Sequence, residues 1–162
     1  MKKLFAIVLL SSVMLGATAL NHGKFEEEIE WHNFNEGYAK ANAEGKIAII
    51  DCYTDWCGWC KVMDKKTFSD PEVISKMNEH FVAIKFNPEI KNELYIIGAD
   101  TLSGPQLLYA LSNNKPSGYP TLFYYIPQTK RMFSQPGYQD VKQFHQSMDN
   151  LINYKQKITS SN

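Results

Sequence analysis

The sequence predicts a small α/β domain, with a central mixed sheet of about four to five strands and helices on both faces. Three observations point there. Apolar runs at residues 47–50, 81–86 and 121–126 have the length and the β-branched or aromatic content of buried strands. Helix-forming sequence separates the first two runs, which makes them a parallel pair joined by a right-handed crossover. After the third run, Gln128-Thr129-Lys130 turns the chain into an antiparallel partner at residues 131–135, and an amphipathic helix closes the domain.

Taken in order, the chain opens on Met1-Lys2-Lys3, an apolar stretch over residues 4–15, and Gly16-Ala17-Thr18-Ala19. A short basic start, an apolar core and a small-x-small end predict a cleaved signal peptide over residues 1–19. The alternative is a membrane anchor. The stretch is short for a span of about 20 residues, and Ser11 and Ser12 interrupt it. Residues 20–162 are then expected to form a single domain with enough chain to bury a core. Basic and acidic residues balance at 17 each, and losing Lys2 and Lys3 leaves only a slight acidic excess. Without a large field of one sign, composition argues against a nucleic-acid or anionic-membrane partner. A bacterial-type export signal predicts the periplasm, where disulfides persist. Three cysteines are too few for a disulfide-stapled scaffold, so the thiols are expected to carry chemistry.

Within the domain, Ile29-Glu30-Trp31-His32 alternates like a short edge strand. Residues 35–44 predict a helix capped by Asn33 or Asn35 and stopped by Gly45. Residues 46–53 read as a buried strand, apolar on both faces except at Asp51. A helix follows from near Cys57 to about Lys66. Asp70, Pro71 and Glu72 then start another, with Val73, Ile74 and Met77 facing inward. Phe81–Phe86 is the next strand. Residues 88–117 are harder to read: a helix is expected over 106–113 and a turn of helix around 93–97, broken apart at 100–104. Thr121–Ile126 is a strong strand, and Gly137 closes its hairpin. Val141, Phe144, Met148, Leu151 and Ile152 share one face of the last helix, and the polar tail 158–162 is expected to fray.

The chemistry concentrates at Trp56-Cys57-Gly58-Trp59-Cys60-Lys61. Two cysteines separated by two residues stand where a strand hands over to a helix. The unpaired N–H groups at a helix start favour a thiolate on the first, Cys57, and Cys60 lies one turn on. Half of a zinc site is the rival reading, but His22, His32, His80 and His145 lack ligand spacing. A soft-metal dithiol for Cu(I) is another, with Met63 the only further ligand close in sequence. Asp51, six residues before Cys57 in an apolar strand, is the anomalous polar residue. Cys52 faces the other side of that strand and reads as a small buried hydrophobe.

The segment Ile50-Asp51-Cys52-Tyr53-Thr54-Asp55-Trp56-Cys57-Gly58-Trp59-Cys60-Lys61 resembles the active-site segment of the thioredoxin family. Its continuation, Lys66-Thr67-Phe68-Ser69-Asp70-Pro71-Glu72-Val73, is similar to the carboxy-terminal thioredoxin-like domain of transmembrane thiol:disulfide interchange reductases. Tyr119-Pro120-Thr121 matches the family's cis-proline loop. The likeness covers most of residues 29–155, with 88–117 as the departure.

This resemblance implies a thioredoxin-like fold and a redox-active disulfide between Cys57 and Cys60, with no cofactor. It implies that Asp51 lies buried beneath the disulfide and exchanges protons with Cys60, partnered by Lys85. Burial raises a carboxylate's pKa, which suits such a base. Pro120 is expected to be cis, leaving backbone at Tyr119 for an extended substrate. Trp56, Gly58 and Trp59 would complete the substrate-binding rim, although the family places proline where this chain has Trp59. The expected protein is a monomeric, periplasmic oxidoreductase acting as a reductant. It would take electrons from a membrane or periplasmic thiol donor and pass them to disulfide-containing proteins. A disulfide oxidase or isomerase is the alternative direction.

Overall fold

The computed structural model describes residues 28–160. The predicted signal peptide lies outside them. The elements are β1 (Trp31–His32), α1 (Phe34–Glu44), β2 (Ile47–Cys52), α2 (Gly58–Lys66), α3 (Pro71–His80), β3 (Phe81–Phe86), β4 (Leu94–Ile97), β5 (Asp100–Ser103), α4 (Gly104–Leu111), β6 (Thr121–Ile126), β7 (Arg131–Pro136) and α5 (Val141–Ser160). Five strands make one mixed sheet in the order β1-β3-β2-β6-β7, and β4 and β5 form a separate hairpin. β2 is central, parallel to β3 and antiparallel to β6.

Alternation along β2 divides the core. Ile47 and Ile49 face a cluster built with Met63 of α2, Val73, Ile74 and Met77 of α3, and Phe144, Met148 and Leu151 of α5. Ala48, Ile50 and Cys52 face the opposite cluster, with Phe34 and Ala41 of α1 and Leu107 and Leu111 of α4. The helices thus cover both faces, as the sequence predicts. Local chemistry fixes their ends. The Asn33 side chain accepts the Glu36 N–H at 3.0 Å to start α1, and Gly45 stops it at φ +61°. Asp70 accepts from the N–H groups of Glu72 and Val73 at 3.0 and 3.1 Å, with Pro71 at the first helical position of α3.

Two expectations are corrected. Residues 93–97 do not form a turn of helix: Leu94–Ile97 is a strand paired with Asp100–Ser103 across a turn at Gly98 (φ +62°). Asn35, considered above as a cap, ties that hairpin to α1. Its side-chain amide donates to Leu94 O at 3.0 Å, and its carbonyl accepts the Ile96 N–H at 2.8 Å. The tail is also more regular than expected. α5 runs to Ser160, because Ile158 packs on the core and extends its apolar face.

Candidate active site

From the end of β2 the chain turns through residues 53–56 to the start of α2. The Tyr53 N–H donates to Phe86 O at 3.0 Å, and the Cys57 N–H donates to Thr54 O at 3.1 Å. Cys57 is the residue that caps α2: its backbone is extended and its Sγ accepts the Cys60 N–H at 3.1 Å. A sulfur held there feels the positive end of the helix, which favours its thiolate when reduced. Cys57 and Cys60 are joined by a disulfide (S–S 2.07 Å, Cα–Cα 5.4 Å). They are 4% and 3% exposed, so little sulfur reaches solvent.

The surface around the pair is aromatic. Trp56 is 67% exposed; its indole N–H donates to Glu89 Oε2 at 3.0 Å, and its ring meets Tyr119 edge-on at 5.7 Å. Trp59 is 62% exposed, with its ring 5.4 Å from Tyr138, so it both packs on the domain and presents a face outward. Gly58, between them, lies in the open: an added Cβ would meet nothing within 4 Å. The Tyr119–Pro120 peptide bond is cis. Thr121, which follows it, pairs with Cys52, so the proline loop sits beside the end of the strand that feeds the active-site segment. The Pro120 carbonyl accepts the Gly137 N–H at 2.8 Å. Burial first, then Cys52 and Glu89, push the Tyr119 hydroxyl up to about 12, so it stays neutral at physiological pH.

Asp51 follows Ile47 and Ile49 on the face of β2 that α2 covers, and is 2% exposed. Lys85 is its register partner on β3. The Lys85 ammonium donates to Asp51 Oδ2 at 2.7 Å and to Asp64 Oδ1 of α2 at 2.5 Å. Asp51 Oδ1 has no hydrogen-bond partner among the described residues. Burial dominates at Asp51 and pushes its carboxyl up, although Lys85 pulls the other way. At Lys85 burial opposes the charge, yet Asp51 and Asp64 outweigh it and hold the ammonium above its usual value. A carboxyl with an orphan oxygen and a pKa raised above the usual carboxylate value is suited to accept and return a proton. Cys52, on the opposite face, is fully buried, and burial pushes its thiol up, so it stays protonated.

The fold therefore gathers Cys57, Cys60, Trp56, Gly58, Trp59, Tyr119 and Pro120 around one surface, with Asp51 and Lys85 on the sheet face beneath α2. Four neighbours went unrecognised in the sequence. Asp64 is one helical turn after Cys60, an i,i+4 spacing that could have flagged it. Glu89 orders Trp56, Tyr138 carries Trp59, and Trp31 lies 4.5 Å from the Lys85 ammonium. No local pattern marks these last three, because each contact is made between elements.

Comparison with known proteins agrees with this geometry. The family model Thioredox_DsbH, described as a protein of unknown function, DUF255, matches residues 18–161. The thiol:disulfide interchange protein DsbD of Pseudoalteromonas atlantica is 37% identical over 68 residues, 42% of this chain. The chain spans only 12% of that relative's length. Among solved structures, a thioredoxin from Thermus thermophilus superposes with a TM-score of 0.61 at 20% identity, covering 77% of this chain and 88% of that one. The DsbD C-terminal domain of Neisseria meningitidis in its reduced form gives 0.50 at 19% identity, covering 74% and 98%. At these identities the two structures establish the fold alone.

Proposed function

The chain belongs to the Thioredox_DsbH family, and we propose that it is a thioredoxin-like thiol–disulfide oxidoreductase, exported to the periplasm and working there as a protein-disulfide reductant. The observation that carries this is the Cys57–Cys60 pair, capping α2 under the exposed Trp56 and Tyr119 rings. In the reduced protein, the Cys57 thiolate attacks a substrate disulfide, one substrate sulfur leaves as a thiolate, and a mixed disulfide forms. Cys60 then attacks Cys57 Sγ, the substrate departs as a dithiol, and the Cys57–Cys60 disulfide returns. Two electrons pass to the substrate in each cycle. Asp51 is the base that takes the Cys60 proton, and Lys85 is its counter-ion. An extended substrate segment lies along Tyr119 and Pro120, with Trp56, Gly58 and Trp59 as the rim it crosses.

A separate thiol donor must restore the dithiol, and the likeness to DsbD supports a membrane or periplasmic one. No helix among the described residues is long and apolar enough to cross a membrane. The protein would act as a monomer. The decisive test is a Cys60→Ser chain expressed in its host, with mixed disulfides identified by mass spectrometry. Losing the resolving thiol should leave partner proteins attached to Cys57. An empty trap beside a working positive control would count against a protein-disulfide substrate.

A further inference from the structure

β1 is only two residues long, and its contribution is Trp31. The strand runs parallel to β3 with Trp31 opposite Ala83, so Trp31 shares a sheet face with Ala83 and Lys85. The Lys85 ammonium lies 4.5 Å from the Trp31 ring centroid, 5.2 Å from Tyr53 and 5.3 Å from Phe68. Trp31 is itself braced edge-on by Phe68 at 5.1 Å. An ammonium has three N–H donors; two go to Asp51 and Asp64, and the rings surround what is left. Beside this cage a cleft of about 290 Å³ opens, lined by Trp31, His32, Tyr53, Lys85, Asn87 and Glu93 among others. A lysine stem has four rotatable bonds, so without the rings the ammonium can leave Asp51 for water in that cleft.

We propose that Trp31 is a positioning residue for thiol exchange, caging the Lys85 ammonium with Tyr53 so that it stays on Asp51 and Asp64. This rests on the reading of Asp51 and Lys85 as the proton-handling pair. Losing the cage separates a cation from a buried carboxylate, which then holds its proton more tightly. The titratable groups at this lysine are Asp51 on β2, Asp64 on α2 and Tyr53 after β2; His32, on the opposite sheet face with Glu30 at 3.6 Å, and Glu93 line the neighbouring cleft.

The test is a carbon-13 NMR titration of the Asp51 side-chain carboxyl in the oxidised chain, where Cys57 and Cys60 cannot titrate. Trp31→Leu should move the Asp51 midpoint alkaline by roughly half a unit or more, the size of one cation–π contact converted to pH. Trp31→Phe should keep most of the wild-type value. Lys85→Met should shift the midpoint in the same direction, and adding Trp31→Leu to it should produce no further change. A Trp31→Leu chain that melts earlier with its midpoint unmoved would overturn the cage, as would shifts that add in the double variant. If Trp31→Leu does not fold, Tyr53→Leu is read the same way and decides. Disulfide exchange of the wild-type chain is followed in parallel. Its absence would end the proposed function whatever the titration gives, and exchange with an unmoved midpoint would remove only the cage.

Discussion

Asp51 holds a carboxyl where a well-packed protein would hold an apolar side chain, and two measurements should expose the consequence. The first is kinetic. A base that takes the Cys60 proton acts after Cys57 has attacked, so Asp51→Asn should slow resolution by about 10²-fold or more and leave the first attack near wild type. Stopped-flow separation of the two steps tests this; equal slowing of both, or none, removes the role. The wild-type resolution rate should also fall as pH drops through the raised Asp51 value, a limb absent from the variant. The second measurement is thermodynamic. A carboxyl raised by burial binds its proton more tightly folded than unfolded. Its contribution to stability is therefore greatest below the ordinary carboxylate value of 3.8 and declines as pH rises through the folded value. Asp51→Asn should thus melt above wild type at neutral pH, with the gap closing as pH falls through that window. Lys85 keeps Asp64 as an ion-pair partner in the variant, so the substitution does not strand a buried cation.

Among the elements, the hairpin β4–β5 stands apart from the five-stranded sheet, and its attachment can be tested alone. Asn35→Ala removes both side-chain bonds to β4 at a cost of about 1 kcal/mol. The Ile96 amide should then exchange with solvent faster while thiol exchange is unchanged. Gly104→Ala should cost more, about 1–3 kcal/mol in a denaturant melt, because the new Cβ would fall 2.2 Å from the Pro88 carbonyl oxygen, which is backbone and yields little. The sheet was legible in the sequence because β2, β3 and β6 are nearly all buried, and burial writes itself as continuous apolar runs. The hairpin was not. Tyr95 is its one fully buried residue, Ile97 and Leu102 are half-buried against the core, Leu94 and Ile96 face out, and Glu93-Leu94 reads as helix former. Its strands are set by pairing across Gly98 and by Asn35, 59 and 61 residues from its partners in sequence. The site divides along the same line. Asp51 and the cysteine pair stand out of their local pattern, whereas Asp64, Glu89 and Trp31 acquire meaning only when separate elements meet.

Across the whole molecule, the direction of electron flow is tied to folding. The Cys57–Cys60 pair has one potential in the folded chain and another in the unfolded chain. The difference equals the stability gap between oxidised and reduced protein, at about 1.4 kcal/mol per 30 mV. A strong oxidant is more stable reduced, and a reductant more stable oxidised. Two features of the fold compete over this gap. The start of α2 favours a thiolate at Cys57 and so favours the reduced form. Burial works against it: both sulfurs are nearly inaccessible, and a carboxylate already disfavoured by burial occupies the sheet face beneath the same helix. A helix terminus is worth about 0.3–1 kcal/mol at an exposed position and about 2 kcal/mol at best when partly buried, whereas burial can move an ionisable group by several pKa units. Burial should win. The oxidised chain is therefore expected to melt above the reduced chain, and the potential against a glutathione series should lie nearer about −270 mV than about −120 mV. The two measurements must agree in sign, since both report the same gap. A reduced form that melts higher, with a potential toward the oxidising end, would reverse the assigned direction and make the protein a disulfide donor.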